Sequence, residues 1–183
     1  EAKMRGFTLA NFSFNSGKGR CPACEGRGAT LVEMQFLADL WIECEECEGR
    51  RYRPEVLEAR YRGKSIADVL QMEVDEALEL LEHQPRLERI LRTLSEVGLG
   101  YLSLGQSSTT LSAGEAQRVK LAAELMRTEE YVRSVVVLDE PSTGLHASDV
   151  HRLTDVLQRL ADRGDAVLVI EHQSEVIRRA DHI

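Results

Sequence analysis

Four cysteines stand in two close pairs, Cys21-Pro22-Ala23-Cys24 and Cys44-Glu45-Glu46-Cys47, with nineteen residues between the pairs. A C-x-x-C turn aims two sulfurs at one centre, and two such turns complete a tetrahedron at Zn–S distances of about 2.3 Å. Four protein ligands leave no open position for water, so such a zinc is structural. Gly26, Gly28 and Gly49 follow the pairs and permit the tight backbone of a knuckle. Residues 30–43 alternate loosely, with Val32, Met34, Phe36, Leu40 and Trp41 apolar, which suggests a hairpin held at its base by the metal. Two disulfides or four unrelated buried thiols are the competing readings; the paired spacing favours zinc. Lys18, Arg20 and Arg27 surround the first knuckle, and Arg50, Arg51 and Arg53 follow the second. Such a cluster suits phosphate contact. It equally suits a solvated surface balanced by Glu43, Glu45, Glu46 and Glu48, and charge alone does not choose.

A second set of residues could act on an anion. Ser112 and Glu115 form an S-x-x-E capping box at the start of a helix, which is a structural device in itself. The same helix start presents backbone N–H groups to an anion, and Gly114 lets a phosphate approach closely. Val135-Val136-Val137-Leu138 ends in Asp139-Glu140, a strand delivering two carboxylates. An Asp there can serve Mg²⁺, and a Glu can orient or deprotonate an attacking water. A strand that merely ends in acidic residues is the plainer alternative. Val167-Leu168-Val169-Ile170-Glu171-His172 ends the next strand in a histidine. Parallel strands bring their C-terminal ends to one sheet edge, so His172 and Asp139-Glu140 can converge.

The elements that must position these groups divide into three stretches. Residues 11–53 are rich in Gly, Cys and basic residues around a strand-like centre; residues 54–100 read as helical; residues 101–183 alternate helix and strand. Ser65 suits an N-cap before Ile66, Val69 and Leu70, and Ala77, Leu78 and Leu81 continue the apolar stripe. Pro85 opens a helix carrying Leu87, Ile90, Leu91, Leu94 and Val97, with Gly98 just past its end. Residues 113–126 predict a helix, 135–138 a buried parallel strand, 147–163 a helix with Val150, Leu153, Val156, Leu157 and Leu160 on one face, and 166–170 a second buried strand. A last helix follows. Two such strands joined by one helix suggest a right-handed crossover.

The chain has 183 residues, enough for one large domain or two small ones, with a 43% hydrophobic and 30% charged composition typical of a folded protein. No apolar run approaches a membrane span, and no signal-peptide pattern is present. A net charge of -8 weighs against binding nucleic acid with the whole surface, yet allows a local basic patch. A start at Glu1 and a stop after Asp181-His182-Ile183 suggest a piece of a longer polypeptide.

In order and spacing, LSAGEAQR, VVVLDEPSTGLH and VLVIEH resemble the signature, the Walker B motif with D-loop, and the H-switch of an ABC ATPase. Glu115-Ala116-Gln117-Arg118, and Gly144-Leu145-His146 after Pro141-Ser142-Thr143, resemble the UvrA family of DNA-repair ATPases more than transporter ATPases. FSFNSGKGRCPACEGRG, CEECEGRRY and VGLGYLSLGQSSTTLSAGEAQRVKLAAEL extend the likeness over nearly the whole chain. The resemblance implies an α/β fold: part of an ABC ATPase with a P-loop-NTPase-like parallel sheet and helices, a helical signature region, and an inserted zinc-binding hairpin. The parts would be 1–53, 54–133 and 134–183. Ser112, Gly114 and Glu115 would belong to the nucleotide-contacting set, Ser112 and Gly114 meeting the γ-phosphate of ATP held by another ATPase half. Asp139 would serve Mg²⁺, Glu140 would be the catalytic carboxylate, and His172 would sense the γ-phosphate. Structural zinc and ATP with Mg²⁺ are the implied cofactors. The implied partners are damaged double-stranded DNA, a UvrB-type protein, the other ATPase half and a second subunit, in the cytoplasm and away from membranes.

The chain departs from the family pattern twice. Ala113 stands where Gly is usual in the signature, and Ala is conformationally acceptable at a helix start. No G-x-x-x-x-G-K-[ST] loop is present: Gly63-Lys64-Ser65 mimics its tail, but Glu58 occupies the first Gly position. These residues read as a turn into a capped helix, the P-loop is expected upstream, and the chain by itself is expected to be inactive. Two other readings stand beside this one. Cys21 to Gly28 fits the C-x-x-C-x-G-x-G motif of DnaJ-type zinc domains, though only one repeat is complete, which would make the chain a zinc-dependent binding module without ATPase activity. A UvrA-like paralogue devoted to drug resistance would carry the same motifs.

Overall fold

Glycine-rich turns, rather than long apolar stretches, shape the N-terminal part of the chain. The computed structural model describes residues 2–34, 39–127 and 133–183. They form two compact units, Glu1–Gln71 and Met72–Ile183.

In the first unit, strands β1 (Ala29–Val32) and β2 (Leu40–Glu43) pair antiparallel from Ala29 opposite Glu43 to Val32 opposite Leu40. This is the expected hairpin; Phe36, expected on it, lies outside the described residues. Helix α1 (Pro54–Leu57) opens on its proline, whose missing N–H would have no helical partner there. Tyr61 and Lys64 then exchange backbone hydrogen bonds across a turn with Arg62 and Gly63 at φ 48° and 81°. Two positive φ values in a two-residue loop make a tight hairpin turn. Ser65 follows and caps α2 (Ile66–Gln71): the Asp68 N–H donates to its Oγ at 3.2 Å, and its own N–H donates to Asp68 Oδ2 at 2.7 Å. Gly63-Lys64-Ser65 is therefore a turn into a capped helix, as its sequence context indicates.

The second unit begins with α3 (Val74–Leu80) and α4 (Pro85–Leu94), so the apolar stripe from Ile66 to Leu81 is divided between α2 and α3. A wide turn, Ser95–Leu99, ends α4, with Gly98 at φ 78°. A side chain there would be strained by that φ, and a Cβ would stand 2.9 Å from a Leu145 methyl. Then come α5 (Ala113–Leu125), β3 (Val135–Asp139), α6 (Ala147–Asp162), β4 (Ala166–Ile170) and α7 (Ser174–Arg178). Strands β3 and β4 are parallel, Val135 opposite Ala166 through Asp139 opposite Ile170. Leu153, Val156 and Leu160 of α6 are fully buried with Val97, Leu99, Leu121 and Leu138 in one core.

The expectation that both strands are buried is corrected here. Val136, Leu138, Val167 and Val169 face the core, but Val135, Val137, Leu168 and Ile170 are 73%, 56%, 60% and 55% exposed. A continuous apolar run predicts cover on both faces of a parallel sheet. Among the described residues, only one face of this sheet is covered.

Candidate metal and nucleotide sites

The two cysteine knuckles are built alike. Each C-x-x-C is followed by Glu then Gly in the left-handed region: Glu25 and Gly26 at φ 51° and 84°, Glu48 and Gly49 at 47° and 72°. A Cβ on Gly26 would lie 2.3 Å from the Phe14 carbonyl oxygen, so glycine is required there by space as well as by conformation. Each knuckle also hydrogen-bonds to the chain beside the other. The Cys21 N–H donates to Arg51 O at 2.8 Å, and the Cys44 N–H donates to Gly28 O at 3.0 Å. The hydroxyl of the buried Tyr52 donates to Phe12 O at 2.9 Å and fastens the segment after the second knuckle.

This framework brings all four sulfurs together, within 4.8 Å of one another, and buries all four cysteines. Cys21 and Cys44 sulfurs are 3.9 Å apart, and those of Cys24 and Cys47 are 3.6 Å apart. A tetrahedron with a radius of about 2.3 Å has edges of about 3.8 Å, so the cluster has the dimensions of a four-thiolate zinc site. All four cysteines are free, which removes the two-disulfide reading. Burial pushes the Cys47 thiol up to about 12. Burial opposes ionisation of Cys24 as well, but hydrogen bonds from Gly28 and Cys47 outweigh it and hold that thiol below its ordinary value. A shielded set of thiols becomes fully ionised only beside a cation, and a divalent metal supplies that charge.

The basic cluster around the knuckles has local partners. Arg20 pairs with Glu25 at 3.8 Å and Arg50 with Glu48 at 2.7 Å. The Arg27 guanidinium lies 5.8 Å from the centre of the Trp41 ring, and that of Arg51 lies 5.5 Å from the Phe14 ring. Lys18 is exposed.

In the second unit, the capping box at α5 is formed. The Glu115 N–H donates to Ser112 Oγ at 3.2 Å, and the Ser112 N–H donates to Glu115 Oε2 at 2.7 Å. Tyr101 donates to the other Glu115 oxygen at 2.7 Å, and these bonds, that from Tyr101 foremost, hold the Glu115 carboxyl below its usual range. Both Glu115 oxygens are thus occupied, one by the cap and one by Tyr101, while Ser112 and Ala113 at the helix start are exposed. A Cβ on Gly114 would lie 3.5 Å from Thr143 O, so this first turn lies beside the loop that follows Glu140.

At the sheet edge the structure brings Glu140 and His172 together. The Glu140 N–H continues the ladder by donating to Ile170 O at 2.8 Å. Its carboxylate Oε1 is 2.9 Å from His172 Nε2, and its Oε2 accepts from the Thr143 hydroxyl at 3.3 Å. The pair is exposed, 47% and 74%, and so adds little to stability. Glu140 is itself in the left-handed region at φ 45°, an uncommon conformation for a non-glycine residue. Asp139 ends β3 with its side chain exposed, one residue short of this contact.

Three further residues hold this edge, and motif reading gave them no separate role. Arg118, 1% exposed, donates from one terminal nitrogen to Pro141 O at 3.2 Å and Thr143 O at 3.3 Å. The Gln117 amide, oriented by its partners, donates to Asp139 O at 2.9 Å and accepts from Asp139 N at 2.7 Å. Glu171 accepts from the Ser142 N–H at 2.9 Å with one oxygen, and from the His172 and Gln173 N–H groups at 2.9 and 3.1 Å with the other. Burial raises its pKa, but these bonds win and keep the carboxyl below its usual range. The available signal was their place inside the quoted motifs, Gln117 and Arg118 in LSAGEAQR and Glu171 in VLVIEH.

No family model matches the chain. It is 54% identical over all 183 residues to UvrABC system protein A of Staphylococcus epidermidis strain RP62A, and 55% identical to the proteins of the same name from Clostridium perfringens and Bacillus subtilis. It covers 100% of itself but 19% of each relative, so it spans about a fifth of their length. The crystal structure of UvrA2 from Deinococcus radiodurans superimposes with a TM-score of 0.87 at 50% identity, over 98% of this chain and 22% of that one.

Proposed function

We propose that this chain, homologous along its whole length to one segment of UvrABC system protein A, supplies the signature helix, the hydrolytic strand ends and a structural zinc module to a DNA-damage-recognising ATPase of nucleotide excision repair. The observation that carries the reading is the meeting of Glu140 and His172 at the ends of adjacent parallel strands, 2.9 Å apart, beside a serine-capped helix start. Ligands of α/β proteins bind at that edge of a sheet.

In this reading Glu140 orients and deprotonates the attacking water, and His172 contacts the γ-phosphate while its bond to Glu140 keeps the two groups in register. Asp139 serves Mg²⁺ from the exposed end of β3. Ser112 and Gly114 offer hydroxyl and backbone N–H to a γ-phosphate held by another ATPase half, with Glu115 holding the helix start in shape. ATP with Mg²⁺ supplies the chemistry when bound. Zinc, held by Cys21, Cys24, Cys44 and Cys47, fixes the base of the β1–β2 hairpin. The functional parts remain 1–53, 54–133 and 134–183. The partners are damaged duplex DNA, a UvrB-type protein and a second subunit, in the cytoplasm. Among the described residues, no helix is long and apolar enough to cross a membrane.

The test uses the full-length protein and the 183-residue chain side by side. The full-length protein should hydrolyse ATP at a rate that changes on adding damaged duplex. The chain alone should not hydrolyse ATP, because its sequence contains no G-x-x-x-x-G-K-[ST] loop to cradle the phosphates. ATP turnover by the chain alone, or a full-length rate indifferent to damaged duplex, would refute the reading.

A further inference from the structure

The loop Asp139–Thr143 is gripped by three side chains that address its backbone rather than one another. Gln117 makes a two-point amide contact with Asp139, so a side chain acts as one more rung at the end of β3. Arg118, one position on along α5, binds the carbonyls of Pro141 and Thr143. Glu171, from the end of β4, binds the Ser142 N–H with one oxygen and the His172 and Gln173 N–H groups with the other. The one residue inside this grip that is in an uncommon backbone conformation is Glu140, at φ 45°. A left-handed conformation at a non-glycine residue persists only where its surroundings over-determine it. Here the residue before Glu140 and the three after it are each fixed by a hydrogen bond with Gln117, Arg118 or Glu171.

Arg118 carries a further sign of this purpose. It is a buried cation that donates to two carbonyls of the loop. Its guanidinium reaches the loop backbone while also lying within electrostatic reach of Tyr101 and Glu115.

We propose that Gln117, Arg118 and Glu171 are positioning residues. Together they hold the Glu140 backbone in its left-handed conformation, so that its carboxylate meets His172 and keeps a fixed place relative to the start of α5. Glu171 also ties the loop after Glu140 to the backbone of His172, so one carboxylate couples both members of the pair. The inference rests on the reading of Glu140 as the catalytic carboxylate.

The experiment uses the full-length protein with Glu171→Gln, Gln117→Leu and Glu140→Gln, each measured for kcat, KM, nucleotide affinity by titration with a fluorescent ATP analogue, and thermal midpoint. Glu171→Gln keeps the shape but turns an amide N–H₂ toward a backbone N–H. Gln117→Leu keeps most of the volume and removes both contacts to Asp139. A displacement of the order of 1 Å at a reacting group can cost about 100-fold in rate. Each positioning variant should therefore lose about 10- to 100-fold in turnover at this site, with KM and nucleotide affinity within about threefold of the parent. Glu171→Asp, whose head still only accepts, should recover part of the loss. Parent-like kcat in both positioning variants, while Glu140→Gln is inactive, would overturn the proposal and leave the role of Glu140 intact. Parent-like turnover in Glu140→Gln would instead overturn the reading on which it rests. A fall in thermal midpoint with kcat unchanged would make the three side chains structural only. Should Gln117→Leu fail to fold, Glu171→Gln, a substitution at a half-buried position, decides alone.

Discussion

Thiols shielded from water need a cation before all four can ionise, and the sulfurs of Cys21, Cys24, Cys44 and Cys47 lie at the spacing one tetrahedral metal requires. The purified chain, prepared reduced, should hold one zinc. Cys44→Ser should lower that content and loosen the hairpin, since a metal site and its fold form together. Elemental analysis checks the stoichiometry, and zinc-free protein that keeps its hairpin would contradict it. These four residues were legible in the sequence because the knuckle is a local device, with spacing, ligand type and following glycines all within a few positions. The partners of the basic residues were not legible in the same way. Arg27 stacking on Trp41 depends on the hairpin bringing position 41 back beside position 27.

At the scale of elements, α6 illustrates what periodicity can establish. Val150, Leu153, Val156, Leu157 and Leu160 fall on one face by spacing, and all five are buried. Leu153 is fully buried, so Leu153→Ala should cost about 2–5 kcal/mol through lost transfer energy and a cavity. A denaturant titration measures this, and a cost below about 1 kcal/mol would mean that α6 is not the centre of its core. The capping box of α5 was equally readable, because Ser112 and Glu115 satisfy one another across three residues. Strand burial was not. The runs 135–138 and 166–170 are apolar at every position, and that pattern says nothing about which face has a partner. The exposure of Val137 and Leu168 depends on what lies across the sheet.

At the scale of the whole molecule, an acidic chain, net -8, carries a cluster of six basic residues, Lys18, Arg20, Arg27, Arg50, Arg51 and Arg53, around the zinc knuckles. DNA contact within this segment should therefore come from the zinc hairpin, through phosphates and with a strong salt dependence. In the full-length protein, reversing Lys18, Arg20 and Arg27 to Glu should weaken binding to damaged duplex and flatten the salt slope, with zinc content unchanged. Titrations of damaged and undamaged duplex at two salt concentrations check this. If affinities and slope stay as in the parent, the cluster is a solvated surface.

Sequence order also suggested that Glu140 and His172 would converge, since both end parallel strands. It could not show Gln117, Arg118 and Glu171 closing on the loop after β3, because those contacts span 22 to 29 positions and depend on the packing of α5 beside that loop and on the pairing of β3 with β4. The convergence of Glu140 and His172 is the centre of the account. Its most direct test is Glu140→Gln in the full-length protein, which removes the carboxylate charge at nearly constant volume. Steady-state ATP turnover and nucleotide affinity should be measured on the same preparation. The account predicts that nucleotide is bound as tightly as by the parent while turnover at this site is lost; hydrolysis at the parental rate with Gln at position 140 would contradict it.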